Sequence, residues 1–459
     1  ILIFSFLSLY FTYLIGKKLF NKKIGIFSSL ILLFTPMFFS FSGLFNLEMP
    51  LTTFIIMALY FSIINKHAYY VIFSSLAALT KETAISAIIA ILFIKLLKEK
   101  NKLKILFIYA IPLLVFLFWM ILNKFHYGFF LFPISASIIV INPIKNILNL
   151  FIILKVLFFD DFRWILSSLF FLQFILPNKI KNLKRIYLPL IISIIFFLFL
   201  FNLPNLFAKN YTSFPNLEIY LNLVKNFSLL FSLILFIILI NLNGIKKFIL
   251  NKNLWELFMV VLAFIGMHVL VIPVTPRYLL PLFPIIILLF ISSLYVVFKK
   301  KIYIIALLFM IISLIQFYGH SDKVGFTLEN NLEYQDFIKV RQLGASYIEL
   351  NYLDSTILTT FPLSLDLMYP YGKYVKRGLN VITIDHYGGL VNKNYTQFLY
   401  PESIPKKEIN ITDIDLYYYS PQEFPTKEVY DIANKLNLTL IKEFEINNKS
   451  VEIYLVNKS

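Results

Sequence analysis

Three short segments of a mostly apolar chain carry charged side chains that could do chemistry. Glu48 stands in FSGLFNLEMPLTTF, Lys81 and Glu82 stand in LAALTKETA, and Arg277 and Tyr278 stand in VIPVTPRYLLPLFP. A carboxylate can orient a hydroxyl or hold a divalent cation, whereas ammonium and guanidinium groups bind phosphate oxygens. The residue types therefore suit a phosphate-bearing molecule, an alcohol and, at Glu48, a divalent metal ion.

Each of these residues also has a purely structural interpretation. A carboxylate such as Glu48 is stabilised at a helix N-terminus, and Pro50 is an ordinary residue for a first helical turn. Lys81 could extend to the membrane surface and pair with Glu82, and water could solvate Arg277 at a helix end. We favour Arg277 most strongly for chemistry, because its guanidinium stays charged and binds phosphate in a bidentate manner.

Weaker candidates lie in two aromatic segments between helices. They are His126, Tyr127, Asp160, Asp161 and Arg163. His268, in FIGMHVLVIP, is interpreted as a buried histidine with its hydrogen bonds satisfied. The sequence has no Walker loop, dinucleotide-binding glycine motif, GxSxG or HExxH, so it gives no support to nucleotide hydrolysis, hydride transfer or proteolysis.

The elements that must position these residues are predicted to be membrane-spanning helices. The chain has 459 residues, of which 59% are hydrophobic and 18% aromatic, far above the level of a soluble domain. We predict about twelve spans, near 1–15, 24–43, 50–64, 69–80, 84–97, 103–122, 164–177, 186–203, 222–242, 254–272, 279–297 and 302–318. The chain contains no cysteine, which excludes disulfides and thiolate metal sites.

The basic residues between the predicted spans indicate the orientation. Alternate connections hold nineteen Lys and Arg residues on one side and seven on the other, which places the richer side in the cytoplasm. Residue 1 and the C-terminal region then lie outside, at a plasma membrane. The net charge is +17, and the basic residues that produce it lie between apolar runs. We therefore expect lipid rather than nucleic acid as the partner.

Two connections on the outer side are unusual. The segments 69–80 and 84–97 are short for a bilayer, so the break at Thr80–Thr83 is predicted to lie below the outer surface and to line a wet cavity. Residues 123–163 contain a stretch predicted to be a helix along the membrane interface.

The composition changes near residue 319, which gives a predicted boundary between a membrane domain, 1–318, and a soluble domain, 319–459. The second part has a helical segment, YQDFIKVRQLGASYIELNYL, followed by strand-like STILTT, NVITI, DLYYYS, LTLIKEFEI and SVEIYLVN. Alternation of helix and strands predicts an extracytoplasmic α/β domain.

The segments NLEMPLTTFIIMALYF, LAALTKETA and TPRYLLPLFP, in this order, resemble the membrane glycosyltransferases of the GT-C fold. The resemblance is to the protein-mannosyltransferase and aminoarabinose-transferase-like group, glycosyltransferase family 39. It implies transfer of a sugar from a polyprenyl-phosphate donor to an acceptor (a protein, lipid or glycan) on the extracytoplasmic face, with inversion. It also implies that Glu48 is the catalytic carboxylate and acts as a base on the acceptor. It further implies that the donor phosphate is bound by Lys81, Glu82, Arg277 and Tyr278.

The sequence departs from that group at its start. Members begin with a further span and a large outer loop that carries the main catalytic Asp, whereas this chain begins at Ile1, within a helix. We therefore expect a truncated start. Two other functions stay open, a transporter or flippase of lipid-linked saccharide and an inactive lipid-phosphate-binding subunit.

Overall fold

A computed structural model describes the chain in several ranges. These are residues 1–128, 130–131, 139, 141–160, 163, 166–167, 254–271, 275–298, 302–315, 332–360, 363–384, 390–392, 414–421 and 435–457. The predicted spans 164–177, 186–203 and 222–242 lie largely or wholly outside these ranges. The chain divides into two compact units, Ile1–Gln316 and Phe317–Ser459.

The first unit is helical, and its helices are named here in chain order. They are α1 Leu2–Leu19, α2 Lys22–Leu33, α3 Pro36–Gly43, α4 Glu48–Ile63, α5 His67–Thr80, α6 Ala84–Lys98, α7 Lys102–Tyr127, α8 Pro143–Phe158, α9 Trp255–Val269, α10 Phe283–Phe298 and α11 Ile302–Ile315. A 3₁₀ helix, Pro276–Leu282, leads directly into α10.

Several of these helices are long and apolar enough to cross a membrane. Among the described residues, three meet this condition, Leu2–Leu19, Lys102–His126 and Pro276–Tyr295, and the bent pair α2–α3 would add a fourth. The shorter apolar helices include α4 and α9. The chain is thus a polytopic helical membrane protein, and the number of twelve spans stays a prediction.

The predicted span 24–43 is divided into two helices, since α2 and α3 meet at an angle of 67°. The break lies at Thr35, whose backbone is extended with φ −71° and ψ 121°, before Pro36 at the start of α3. Proline clashes with a helical conformation of the residue before it, which accounts for the end of α2 at this point.

Helices α1 and α2 approach each other closely through two glycines. A side-chain carbon added to Gly16 would lie 2.6 Å from the Cα atom of Gly25, and one added to Gly25 would lie 2.5 Å from the carbonyl oxygen of Tyr13. Small residues allow this backbone-to-backbone packing between membrane helices. Helix α1 also contacts α4, where the hydroxyls of Ser8 and Thr53 lie 3.0 Å apart.

The second unit contains a six-stranded mixed sheet. Its strands are β1 Thr356–Thr360, β2 Asn380–Ile384, β3 Leu390–Asn392, β4 Leu416–Tyr419, β5 Leu438–Ile446 and β6 Lys449–Val456, in the order β3-β2-β1-β4-β6-β5. Strand β1 is parallel to both β2 and β4, and the remaining pairs are antiparallel. Helices α12, Glu333–Asn351, and α13, Leu363–Met368, contribute to a hydrophobic core with one face of the sheet.

A buried ion pair joins α12 to α13. The Arg341 guanidinium donates two hydrogen bonds of 2.7 Å to the carboxylate of Asp366, and both side chains are only 5% exposed. Burial raises the pKa of Asp366 despite the neighbouring guanidinium. The pair also has aromatic neighbours, since the rings of Phe337 and Tyr374 lie 5.2 and 5.3 Å from the guanidinium carbon.

Replacing Asp366 with Leu is expected to destabilise the second unit by about 3–5 kcal/mol, because Arg341 keeps its charge in the core without its carboxylate. The measurement is urea unfolding of the full-length protein, in which protease resistance of the second unit reports the folded fraction. Lys339→Ala is the matched control, since Lys339 pairs with Asp336 at 3.2 Å but is 59% exposed, and a change below about 0.5 kcal/mol is expected there. Equal losses in both variants would contradict the assignment of stability to the buried pair.

Candidate functional site

Glu48 is the first residue of α4, and its carboxylate is buried. The residue is only 3% exposed, although it lies at a helix end. The helix dipole stabilises a negative charge in this position, and Pro50 needs no backbone N–H partner in the first turn. The predicted start of a helix at Glu48 is confirmed, and the side chain points into the protein.

Lys81 lies in a break between two helices. Helix α5 ends at Thr80, the backbone of Lys81 is extended with φ −160° and ψ 139°, and α6 begins at Ala84. The extended residue directs its ammonium to α4, where Nζ lies 2.8 Å from Oε1 of Glu48. The alternative that Lys81 pairs with Glu82 is therefore wrong in this structure. Glu82 is half-buried in the same break.

Arg277 and Tyr278 reach the same carboxylate from a distant part of the chain. The 3₁₀ helix Pro276–Leu282 places Nε of Arg277 at 3.9 Å from Oε1 of Glu48. The ring centre of Tyr278 lies 3.8 Å from Nζ of Lys81 and 5.5 Å from the guanidinium carbon of Arg277. A cation over an aromatic face is attracted by the ring quadrupole, so Tyr278 stabilises both basic groups. We call Glu48, Lys81, Arg277 and Tyr278 the charge cluster.

The charge cluster combines one carboxylate with two cations. The side chains of Lys81 and Arg277 are 18% and 23% exposed, compared with 4% for Glu48. An incoming molecule can therefore reach the cations more readily than the carboxylate. Their partial burial also strengthens the attraction for an anion, because water screens it less than at an open surface.

Polar atoms beside the charge cluster have no hydrogen-bond partner in the part of the chain that the structure describes. They are Oε2 of Glu48 and the buried hydroxyls of Thr83 and Thr275. Each threonine precedes a helix without capping it, and each lies two residues from a cation of the cluster. Buried polar groups are normally hydrogen-bonded, so these atoms provide two donors and one acceptor for a bound molecule. The sequence analysis did not single out either threonine.

His268 lies close to the charge cluster at the C-terminal end of α9. It is fully buried, Nδ1 donates to the carbonyl of Phe264 at 2.8 Å, and its ring centre is 6.4 Å from that of Tyr278. Within the described residues Nε2 has no hydrogen-bond partner. The expectation that this histidine is fully satisfied is therefore wrong for one of its two nitrogens.

Among the weaker candidates, His126, Asp160 and Arg163 are not part of the charge cluster. His126 and Tyr127 are at the end of α7, where His126 is exposed. Oδ1 of Asp160 lies 3.1 Å from Nζ of Lys155. Arg163 is buried, where its guanidinium donates to the carbonyl of Val156 and lies 4.6 Å from the ring centre of Phe283. Asp161 lies outside the described residues.

A divalent metal at Glu48 stays a prediction. Across the described ranges, no group of three or more His, Asp or Glu side chains is arranged to hold a metal ion. One oxygen of Glu48 is also occupied by the ammonium of Lys81. A metal ion at this carboxylate would therefore have to use Oε2 and ligands from the bound molecule.

Comparison with known proteins gives a match for the N-terminal part of the chain. Residues 1–126 match the family described as dolichyl-phosphate-mannose-protein mannosyltransferase. Residues 1–126 are thus similar to a family of glycosyltransferases. The matched segment contains Glu48, Lys81 and Glu82, whereas Arg277 and Tyr278 lie beyond it.

A solved structure is also similar to the chain. The apo crystal structure of ArnT from Cupriavidus metallidurans is similar with a TM-score of 0.40 and 12% sequence identity, over 99% of this chain and 82% of that one. None of the curated proteins compared with the chain matches it.

Proposed function

We propose that this protein is a membrane glycosyltransferase that moves a sugar from a polyprenyl-phosphate donor to a hydroxyl-bearing acceptor on the extracytoplasmic face, with inversion. The observation that carries the proposal is the contact of Lys81 and Arg277, both partly exposed, with the buried carboxylate of Glu48. The match of residues 1–126 to the dolichyl-phosphate-mannose-protein mannosyltransferase family supports sugar transfer over other reactions at a lipid phosphate.

The proposed reaction needs positive charge at the departing phosphate. The acceptor oxygen forms a bond to the anomeric carbon while the bond from that carbon to the phosphate oxygen breaks, and the electron pair stays on the phosphate. Lys81 and Arg277 stabilise this new charge, because fixed cations in a water-poor site need little reorganisation. The hydroxyls of Thr83 and Thr275, two residues from Lys81 and Arg277 in the sequence, are proposed to donate to the same phosphate.

Glu48 has two tasks in this scheme, one for each oxygen. Oε1 lies 2.8 Å from Nζ of Lys81 and 3.9 Å from Nε of Arg277. Its negative charge attracts both cations and so keeps them close together. Oε2 accepts the proton of the acceptor hydroxyl as the new glycosidic bond forms. Glu82 lies beside Lys81 in the chain and is proposed to border the donor site.

The test is an assay of the full-length protein in liposomes with a polyprenyl-phosphate-linked sugar. We expect release of polyprenyl phosphate together with a glycosylated acceptor, and no release from a nucleotide-linked sugar. Translocation of an intact lipid-linked sugar without release would instead identify a transporter, and binding without either process would identify an inactive lipid-binding subunit. Either result would overturn the proposal.

The orientation of the protein is part of the proposal. The excess of basic residues on one set of connections supports an extracytoplasmic location for the charge cluster and for the second unit. The identities of the sugar and of the acceptor are open, so the assay should include protein, lipid and glycan acceptors.

A further inference from the structure

A second group of buried charges joins α4, α6 and α9 at the ends remote from the charge cluster. The ammonium of Lys95 donates to the carbonyl of Ser62 at 2.7 Å and to Oδ1 of Asn65 at 2.8 Å, and it lies 3.4 Å from Oε1 of Glu256. Glu256 also accepts hydrogen bonds from the hydroxyl of Ser62 at 3.1 Å and from Lys98 at 3.2 Å. Lys95 and Glu256 are only 4% and 5% exposed.

Lys95 connects three segments within this group. Its ammonium donates two hydrogen bonds, one to the end of α4 and one to the turn after α4, and it forms an ion pair with Glu256 at the start of α9. Asn65 adopts a left-handed backbone with φ 56°, which asparagine tolerates better than most residues. The group thus fixes both the distance between the helices and their position along their axes.

Stability alone does not require charges at this position. Buried ion pairs are often no more stabilising than well-packed apolar residues of similar volume, and their best-attested role is to select one register. A shift by one residue moves a helix by about 1.5 Å along its axis, which is enough to break contacts of 2.7 to 3.4 Å. The pair therefore favours a single axial arrangement of α4, α6 and α9.

The same helices carry the charge cluster at their other ends. Helix α4 runs from Glu48 to Ser62, about 21 Å, and α6 runs from just after Lys81 to Lys95. The chain after α9 leads to Arg277. Since helices are rigid over this length, a change in register at Lys95 and Glu256 would be transmitted to the contacts of Glu48.

We infer that Lys95 and Glu256 are a positioning pair that keeps Glu48, Lys81 and Arg277 in register for the lipid-phosphate donor. The inference rests on the proposed function. Its physical basis is that site groups must be held within about 0.5 Å of the productive geometry, and an error of about 1 Å can cost about 100-fold in rate.

The first experiment separates positioning from stability. Lys95→Met removes the buried cation beside Glu256 and leaves Lys98, which is 28% exposed, as the other ionic partner, so we expect loss of both thermal stability and turnover. The double variant Lys95→Met with Glu256→Leu removes both charges, so we expect most of the thermal stability to return while kcat stays at least tenfold below that of the wild type. Lys102→Met, an exposed lysine at the start of α7, is the control and is expected to change turnover by less than twofold. Recovery of turnover together with stability in the double variant would overturn the inference.

A second measurement does not depend on enzymatic activity. Because the chain contains no cysteine, spin labels attached to Phe45→Cys and Leu79→Cys report only on these two positions, which are 99% and 45% exposed and precede Glu48 and Lys81 in the chain. We expect the distance distribution between the labels to widen in the double variant and to stay unchanged in Lys102→Met. If no lipid-linked sugar supports turnover in the wild type, widening would uphold the positioning role and refute only the proposed function. An unchanged distribution would refute the positioning role.

Discussion

Replacing Arg277 with Ala is expected to lower sugar release from a polyprenyl-phosphate donor by about 100- to 1,000-fold. The guanidinium is the cation of the charge cluster with the greater exposure, so it is well placed to meet the phosphate as charge develops on it. Removal of one preorganised group that stabilises such a charge typically costs this much in turnover. The measurement is steady-state release of polyprenyl phosphate by the variant reconstituted in liposomes.

Two further variants show whether the effect is specific to Arg277. Arg277→Lys keeps the charge but loses the planar fork, so an intermediate loss of activity is expected. Lys124→Ala removes an exposed cation at the end of α7 and is expected to leave release unchanged. If Arg277→Ala inserts in the membrane and releases sugar at the wild-type rate, the assignment of Arg277 to the donor phosphate is wrong.

Glu48→Gln is expected to impair both folding and catalysis. The substitution keeps the size of the side chain but removes the negative charge, which leaves the partly buried Lys81 and Arg277 to repel each other. Removing one partner of a fully buried pair costs about 3–5 kcal/mol, and partial exposure of both cations reduces this to about 2 kcal/mol. We expect a turnover about 100-fold below that of the wild type, because the acceptor hydroxyl also loses its proton acceptor.

A double-mutant cycle separates the two effects of Glu48→Gln. In Glu48→Gln with Lys81→Met one cation is removed with the carboxylate, so thermal stability should largely return while turnover stays low. Stability is measured by thermal unfolding in detergent, and turnover is measured with the same lipid-linked donor. Lys81→Met alone completes the cycle. If its turnover equals that of the double variant, Glu48 only holds the cations in place and does not take part in proton transfer.

Site residues could be predicted from the sequence when a charged residue stood in an apolar segment. Charged groups at membrane depth are costly, which singled out Glu48, Lys81 and Arg277, and the structure brings these three together. The contacts themselves could not be predicted, since they depend on how each helix is rotated about its axis. The pairing of Lys81 with Glu48 rather than with its neighbour Glu82 is an example.

Other polar residues gave no usable signal in the sequence. Glu256 appears as an ordinary acidic residue in the first turn of a helix, and Lys95 as one of several lysines near the end of α6. Only the folded arrangement shows that the two meet. Thr83 and Thr275 were missed for a related reason, because threonine before a helix normally indicates a capping residue.

The fold was most predictable where local signals were strong. The segment YQDFIKVRQLGASYIELNYL coincides with α12 to within two residues, and five of the predicted strands coincide with β1, β2, β4, β5 and β6. The bend before Pro36 was missed, because the apolar run 24–43 has the length of one span and hydrophobicity alone does not show a change of direction.

The contact of α1 and α2 through Gly16 and Gly25 restricts how the first unit can move. Main-chain atoms meet there with no side chain between them, so the two helices cannot slide or rotate past each other without a steric clash. We expect them to move as one rigid body. In the proposed reaction, a path for the lipid tail of the donor would then open by displacement of other helices.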